Sequence, residues 1–206
     1  MSRTGEGETT ATARARLYVA RHGETEWNRV GRWQGATDVP LNDAGRSQAL
    51  ELAERLRGVT LAGIASSDLV RAAETASLVA HALGLPVLGT YAALRERSYG
   101  VFEGLTREEC ATRYAEIWTN HRPGDLLEPP GAEPRAEVEA RMVRGLREVV
   151  EAHAGEAPVL VVSHGGAIRT FLAAVDGVLV PPMKNAECYL VRDRAGIFEG
   201  YARLGG

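Results

Sequence analysis

The stretch that decides the fold is Leu17-Tyr18-Val19-Ala20-Arg21-His22-Gly23-Glu24-Thr25, a short apolar run that ends in a histidine and a glycine. Brief aliphatic and aromatic runs that are cut off by glycine are typical of buried parallel strands. A second run, Val159-Leu160-Val161-Val162, leads in the same way into Ser163-His164-Gly165-Gly166. The pattern therefore predicts two buried strands with a histidine at the carboxyl end of each. That end is where open α/β sheets bind ligands.

Strand and helix signals alternate along the rest of the chain. From the amino end, the predicted elements are a helix capped by Asn42 and ended by Gly58, a strand over Leu61–Ala65, a helix over Leu69–Leu83, a strand over Pro86–Leu88, a helix near Thr106–Ile117, a helix over Pro134–His153, a helix after Gly165-Gly166, and a hairpin of Cys188–Arg192 with Ile197–Tyr201. This alternation, with right-handed crossovers, predicts an α/β fold. We expect a three-layer α/β/α sandwich whose central sheet is doubly wound and mostly parallel, with an antiparallel edge.

Length and composition predict one domain. The chain has 206 residues, and no interior stretch has the composition of a linker. We therefore expect a single domain over residues 14–206. Residues 1–13 are rich in Gly, Thr, Glu and Ala without an apolar run, so we expect a flexible tail rather than a secretory signal or an anchor. No apolar stretch approaches the roughly 18 residues that a membrane span requires.

The charge balance argues against polyanionic partners. With 24 basic and 27 acidic residues, the net charge is −3, so no global field attracts nucleic acid or a membrane surface. Cys110 and Cys188 form neither a disulfide framework nor a zinc spacing. We expect two reduced thiols in a cytoplasmic protein that uses no metal and no cofactor. Its partner is expected to be a small molecule, and the oligomeric state stays open, with a homodimer as one option.

The residues around the two histidines indicate chemistry on an oxyanion. Arg21 precedes His22, and a glycine follows each histidine, so guanidinium and backbone donors can converge on one anion. A neutral imidazole can attack phosphorus through one ring nitrogen if a carbonyl group keeps the other nitrogen protonated. This pattern points to phosphoryl transfer.

Four blocks of sequence carry a family resemblance. They are Arg21-His22-Gly23-Glu24-Thr25 with Asn28, Ser67-Asp68-Leu69-Val70-Arg71-Ala72 with Glu74-Thr75, Leu94-Arg95-Glu96, and Ser163-His164-Gly165-Gly166. In this order and at this spacing they resemble the histidine phosphatase superfamily, the phosphoglycerate-mutase-like enzymes, from about Arg16 to the end of the chain. The resemblance implies a covalent phosphohistidine mechanism without metal.

The chemistry of the residues agrees with this role. His22 is the predicted nucleophile, and nearby positive charge should lower its pKa and keep it neutral. Glu96 is expected to protonate the leaving oxygen and later to take a proton from water. The catalytic set is therefore His22, Glu96 and His164, and the phosphate-binding set is Arg21, Asn28, Arg71 and His164.

Each of these residues also has a plain structural interpretation. Taken alone, either histidine could be a hydrogen-bonded structural residue, and Arg71 could be a surface charge on a helix. Arg95-Glu96-Arg97 could be a solvated charge cluster. His81, His121 and His153 are expected to lie at the surface.

The sequence also bears on the choice between mutase and phosphatase. Tyr99-Gly100 resembles the mutases, and Arg107 falls where the mutases carry a lysine. After Trp118, however, Thr119-Asn120 stands where the mutases carry an adjacent arginine pair. Without those charges, water is the expected acceptor, which favours a phosphomonoesterase. The predicted substrate-binding residues are Gln34, Gly35, Tyr99 and Arg107.

Two other functions stay open at this point. One is a cofactor-dependent phosphoglycerate mutase, which would need a bisphosphoglycerate primer. The other is a non-catalytic domain that senses phosphate or binds a partner. Candidate substrates include phosphoglycerate and its glucosyl esters, phosphoserine, sugar phosphates, nucleotides and α-ribazole phosphate. Arg97, Arg107 and Arg122 could favour a substrate with a second anionic group, or could face solvent.

Overall fold

The computed structural model describes residues 14–119, 128–153, 155, 157–194 and 196–205. The predicted tail over residues 1–13 lies outside the described residues, as do His121 and Arg122.

Six strands form one sheet. They are β1 (Arg14–Arg21), β2 (Gly63–Ser66), β3 (Val87–Thr90), β4 (Val159–Ser163), β5 (Cys188–Arg194) and β6 (Ile197–Arg203). Their order across the sheet is β3-β2-β4-β1-β5-β6. The first four strands in this order are parallel, whereas β5 and β6 pair antiparallel. The predicted sheet, mostly parallel with an antiparallel edge, is confirmed.

Helices cover both faces of this sheet. They are α1 (Glu26–Arg29), α2 (Asp43–Leu56), α3 (Val70–Leu83), α4 (Arg107–Arg113), α5 (Ala115–Thr119), α6 (Arg135–Ala152) and α7 (Gly165–Asp176), with 3₁₀ turns at Ala92–Leu94 and Gly100–Phe102. Alternate residues of β1 point to opposite faces, as strand geometry requires. Leu17 and Val19 pack with α6 and α7, whereas Tyr18 and Ala20 pack with α2 and α3. The result is the expected α/β/α sandwich.

Local capping signals explain where the long helices begin and end. The side chain of Asn42 accepts a hydrogen bond from the Gly45 amide at 2.8 Å, as a helix N-cap does. Gly84 ends α3 in the left-handed conformation, at φ +66°. The single helix predicted over residues 106–117 is wrong. Two helices are present because Tyr114 leaves the helical conformation, and its ring packs on Phe102 with centroids 5.5 Å apart.

The topology brings the two histidines together. β1 and β4 are parallel neighbours, with Arg21 opposite Ser163, so the residues that follow them emerge side by side. The chain leaves β1 through α2 toward β2, and leaves β4 through α7 toward β5, on the opposite side of the sheet. This divergence is a topological switch point, where open α/β sheets form their ligand crevice.

Candidate active site

His22 lies at the carboxyl end of β1 with its ring orientation set by backbone contacts. Its Nδ1 donates to the carbonyl of Gly23 at 2.6 Å, which leaves Nε2 as the nitrogen that can act on a ligand. The amide of His22 donates to the Ser163 carbonyl at 3.0 Å. The amide of Gly23 donates to the hydroxyl of Thr75 at 3.1 Å. A neutral His22 is thus held in one tautomer, the arrangement that nucleophilic use of Nε2 requires.

Gly23 is required by a close approach of backbone. A Cβ at this position would lie 2.3 Å from the carbonyl oxygen of Gly45, in the first turn of α2. A Cβ on Gly45 would in turn lie 2.1 Å from the carbonyl oxygen of Glu24. Two facing glycines therefore let α2 pack directly against the loop that carries His22.

Two arginines of the site are held by carbonyl groups. Nη1 of Arg21 donates to the Met183 carbonyl at 2.6 Å. Arg71, which is fully buried, donates to the carbonyls of Thr37 at 2.8 Å and Gly35 at 2.9 Å. The Nε atoms of both arginines are buried and lack a hydrogen-bond partner within the described part of the chain. We call Arg21, His22, Arg71 and His164 the histidine cluster.

His164 packs directly against His22. The ring centroids are 5.1 Å apart, with the planes inclined by 58°. His164 is fully buried, and neither ring nitrogen has a partner among the residues that the structure describes. It is not among the residues that line the cleft, although it contacts His22, which does line it.

Burial and positive charge keep both imidazoles neutral. For His22, burial lowers the pKa well below the usual 6.5, and the charges of Arg21 and Arg71 lower it further. For His164, burial again has the largest effect on the pKa, followed by the charge of Arg71. The predicted direction of the His22 shift is confirmed, although loss of solvent outweighs the neighbouring cations as its cause.

Asn28 is oriented by contacts that occupy its carbonyl oxygen. Oδ1 accepts from the Thr25 amide at 3.2 Å, as part of the capping box of α1, and from Nδ2 of Asn185 at 3.1 Å. The Nδ2 group of Asn28 is thereby left as its available donor, and Asn28 lines the cleft. Asn185 also donates to the carbonyl of His22 at 3.1 Å.

The carboxylate of Glu96 binds the amino end of α7. Oε2 accepts from the Gly166 amide at 3.0 Å, and Oε1 accepts from the Ala167 amide and from the Arg97 amide, each at 2.8 Å. A Cβ on Gly166 would lie 2.3 Å from the hydroxyl of Tyr99 and 2.7 Å from Oε1 of Glu96. Glycine at this position therefore leaves room for both side chains.

Arg95-Glu96-Arg97 do not form the solvated charge cluster that the sequence analysis considered for them. Arg97 is only 1% exposed, and its Nε donates to the Glu133 carbonyl at 2.7 Å. Arg95 forms an ion pair with Asp68 at 2.6 Å. Arg97 does not line the cleft, whereas Glu96 does.

Aromatic side chains form the other part of the cleft. The ring of Trp33 lies 4.7 Å from that of Tyr99 and 5.9 Å from that of Phe102. The guanidinium of Arg107 lies over the Trp33 ring at 5.5 Å, within the range of a cation–π contact. We call Trp33, Tyr99, Phe102 and Arg107 the aromatic cluster.

The cleft has a volume of about 350 Å³. It is lined by Arg21, His22, Asn28, Gly31, Arg32, Trp33, Gln34, Gly35, Arg71, Glu96, Tyr99, Arg107, Gly165, Gly166, Arg169, Pro182, Met183 and Asn185. Every predicted site residue except His164 is therefore in its wall. Within the described part of the chain, no three His, Cys, Asp or Glu side chains are grouped so that they could hold a metal ion.

Comparison with known proteins identifies the family. The sequence matches the model of the histidine phosphatase superfamily (branch 1) over residues 17–192. The chain belongs to this superfamily. These matches confirm the predicted family and the predicted enzyme class, a phosphoric monoester hydrolase.

Relatives of this histidine phosphatase bear several names. A phosphoglycerate mutase-like protein 4 of Arabidopsis thaliana is 39% identical over 161 residues, covering 76% of this chain and 69% of the relative. A metal-independent phosphoserine phosphatase of Arabidopsis thaliana is 33% identical over 192 residues, covering 90% and 80%. The structure of a mycobacterial glucosyl-3-phosphoglycerate phosphatase with VO3 has a TM-score of 0.80 at 29% identity, covering 92% of this chain and 97% of that one.

Several cleft residues of this histidine phosphatase escaped the sequence analysis. Asn185 lies in the turn before β5, where no periodic pattern marks it. That turn reaches the site because Ala186, at φ +56°, donates its amide to the Arg21 carbonyl at 3.1 Å. A polar residue just before a predicted edge strand was the available signal. Arg32, Trp33 and Arg169 also line the cleft and were not predicted, because contacts between distant residues bring them there.

No helix among the described residues is long and apolar enough to cross a membrane.

Thr119 ends α5, and Asn120 lies outside the described residues, as does Arg122, which was considered for substrate binding.

Proposed function

We propose that this chain is a metal-independent phosphomonoesterase that transfers a phosphoryl group from a small phosphorylated metabolite to His22 and then to water. The observation that carries the proposal is the hydrogen bond from Nδ1 of His22 to the Gly23 carbonyl, in a buried site that keeps the ring neutral. The lone pair of Nε2 is then available to attack phosphorus, and the bond to the leaving oxygen breaks as the bond to nitrogen forms.

Charge on the transferring group is balanced by the histidine cluster. The buried Nε groups of Arg21 and Arg71 need hydrogen-bond acceptors, and so do the donors of a charged His164. Phosphoryl oxygens are suitable acceptors, and Asn28 adds a neutral donor at the cleft wall. A dianionic phosphate beside His164 would favour protonation of this imidazole, so a fourth donor would develop as the ligand binds.

Glu96 is the group that we assign to proton transfer. It lines the same cleft as His22, and its carboxylate is positioned by three backbone amides. In the first step it would give a proton to the leaving oxygen, and in the second step it would take one from the water that attacks the phosphohistidine.

The acceptor is proposed to be water because two of the three arginines that line the described cleft outside the histidine cluster are engaged elsewhere. Arg32 forms an ion pair with Glu109 at 3.2 Å, and Nε of Arg169 donates to the Val180 carbonyl at 2.8 Å. This leaves Arg107 for a second anionic group. Thr119-Asn120 replaces the arginine pair that the resemblance to mutases leads one to expect. A bisphosphorylated intermediate would therefore be held weakly. The substrates named for the relatives, phosphoserine and glucosyl-3-phosphoglycerate, are candidates for this chain as well.

Metal independence and a cytoplasmic location are further parts of the proposal. A cleft that contains Arg21 and Arg71 repels a divalent cation, and phosphoryl charge can be balanced by guanidinium groups instead. Cys110 and Cys188 are both buried and free, which agrees with a reducing compartment.

A panel of phosphomonoesters, assayed in excess EDTA and ranked by kcat/KM, tests the proposal. We expect release of inorganic phosphate without added metal, and no interconversion of phosphoglycerates with or without a bisphosphoglycerate primer. Primer-dependent interconversion that outpaces hydrolysis would identify a mutase. A protein that binds phosphate but turns over no ester would be the non-catalytic domain.

A further inference from the structure

Arg141, on α6, has a guanidinium group whose hydrogen-bonding capacity is fully used. Its Nε and Nη2 donate to the two carboxylate oxygens of Glu133, at 2.6 and 2.8 Å. Nη1 donates to the carbonyls of Ala93 at 2.9 Å and Arg95 at 2.6 Å. Nη2 also donates to the carbonyl of Glu96 at 3.1 Å. A guanidinium carries five N–H groups, so every donor has an acceptor.

These acceptors belong to the segment that carries the proposed acid. Residues 95–98 lie between two 3₁₀ turns and have no strand or helix to satisfy their backbone groups. Backbone carbonyls outside regular structure need other partners, and here one side chain binds the carbonyls of Arg95 and Glu96 and that of Ala93 in the preceding turn. Arg141 is 15% exposed, so solvent screens these contacts little.

Glu133 binds the same segment on the carboxyl side of Glu96. Its amide donates to the Ser98 carbonyl at 3.0 Å, and its carbonyl accepts from Nε of Arg97 at 2.7 Å. Its carboxylate holds Arg141 in a bidentate pair, which fixes the plane of the guanidinium. The main chain is therefore anchored on both sides of Glu96.

The side chain of Glu96 is held separately, by the amides of Gly166 and Ala167 in α7. Two helices thus locate one residue: α7 holds the carboxylate, and α6, through Arg141, holds the backbone. If the backbone anchor were lost, the carboxylate could keep its contacts with α7 only by changing its angle to the cleft. Misplacement by about 1 Å can cost roughly a hundredfold in rate.

We propose that Arg141 is the positioning residue for Glu96 in proton transfer to the leaving group. The inference rests on the proposed role of Glu96 as general acid. Arg141 does not line the cleft, so it acts on the reaction through other residues, and among the proposed catalytic residues it is Glu96 whose backbone it binds. A lysine cannot replace it, because an ammonium group lacks the planar fork that reaches Glu133 and three carbonyls together.

The test compares two substrates in six variants of the full chain. The variants are Arg141→Met, Arg141→Lys, Glu133→Gln, Glu96→Gln, the double variant Arg141→Met/Glu96→Gln and, as a matched control on the exposed face of α6, Arg147→Met. The substrates are p-nitrophenyl phosphate, whose leaving group needs no proton, and an alkyl phosphate such as glycerol 2-phosphate, whose leaving group does. Thermal unfolding monitors the fold of each variant.

For Arg141→Met and Arg141→Lys we expect kcat/KM, which reports the steps up to departure of the leaving group, to fall roughly tenfold to a hundredfold on the alkyl phosphate and by less than about threefold on p-nitrophenyl phosphate. Glu133→Gln should show the same selectivity with a smaller loss. Adding Arg141→Met to Glu96→Gln should cost little more, because the positioned group is already absent. Arg147→Met should match the wild type.

Equal losses on the two substrates, or losses that multiply in the double variant, would show that Arg141 only stabilises the fold and would overturn the proposal. If Arg141→Met does not fold, Arg141→Lys and Glu133→Gln decide by the same criterion. The Glu96→Gln variant tests the proposed acid separately from Arg141. If Glu96→Gln loses activity equally on the two substrates, the role of Glu96 as general acid is refuted.

Discussion

The histidine cluster and the aromatic cluster share one cleft but are built from different structural elements. His22 and His164 directly follow the parallel strands β1 and β4, and Arg71 is in the first turn of α3. Trp33 and Tyr99, in contrast, lie in connections outside the long helices and strands, and their rings form a small core of their own with Phe102. The histidine cluster is thus positioned by the sheet, and the aromatic cluster by the connecting segments.

The two clusters also differ in their polar contacts. In the histidine cluster, buried nitrogens of Arg21, Arg71 and His164 lack partners among the described residues, so an oxyanion would satisfy them. In the aromatic cluster, Arg107 is exposed and already lies on Trp33. We infer from this comparison that the first cluster serves the chemistry common to all phosphate esters, whereas the second sets the preference among esters.

The largest effect should come from removing the nucleophile. We expect His22→Ala to lower kcat on p-nitrophenyl phosphate by on the order of 10⁴-fold or more, because the variant lacks the proposed acceptor of the phosphoryl group. His81→Ala, at an exposed position of α3, is the matched control and should leave kcat unchanged. A His22→Ala variant that kept a tenth of the activity would contradict the assignment.

A smaller but uniform loss is expected from Arg71→Met. Because its guanidinium would stabilise the transferring oxygens whatever the leaving group, kcat should fall by roughly 10²- to 10³-fold on aryl and alkyl phosphates alike. The exposed Arg57, which pairs with Glu54, provides the control variant Arg57→Met. A loss confined to one class of ester would place Arg71 with the aromatic cluster and break the comparison.

Arg107→Met should change the preference among substrates rather than the rate of phosphoryl transfer. For substrates with a second anionic group, we expect KM to rise about twofold to fivefold, the range of one exposed charge contact, with little change in kcat. Hydrolysis of p-nitrophenyl phosphate should be unaffected, as should both reactions in Arg113→Met, an exposed position on the same helix. A fall in kcat on every substrate would instead assign Arg107 to the reaction itself.

The smallest effect concerns stability and pH. The pKa of His22 is lowered in the folded state, so the unfolded chain binds more protons below its usual value of 6.5. The free energy of unfolding should therefore fall as pH drops below 6.5, by up to about 1.4 kcal/mol per pH unit for this histidine, until the pH reaches the folded-state pKa.

Urea unfolding of the wild type and of His22→Asn at pH 7 and pH 5.5 measures this effect. The wild type should lose more of its unfolding free energy between the two pH values than the variant does. Identical losses would show that burial of His22 does not disfavour its charged form.

Features with a local signal could be predicted from the sequence. Strands β1 and β4 were found because their apolar runs end at glycine, and the start of α2 was found because Asn42 caps it. The histidines, Arg21 and Arg71 followed, since residues at strand ends and helix starts meet at one edge of a parallel sheet.

Features that depend on contacts between distant residues could not be predicted. The side chain of Arg141 has the spacing of an ordinary surface residue on α6, yet it binds carbonyls of the segment around Glu96. Asn185 contacts His22 from a turn that has no pattern of its own. The complete burial of His164 likewise depends on how α7 packs against the sheet.

The central claim is that the phosphoryl group passes through Nε2 of His22. The most direct test mixes the wild-type enzyme with a labelled phosphate ester, quenches the reaction rapidly and maps the labelled peptides at basic pH. We predict acid-labile, base-stable phosphate on the peptide that contains His22, attached at Nε2. Label on His164, on a serine or on a cysteine would contradict it.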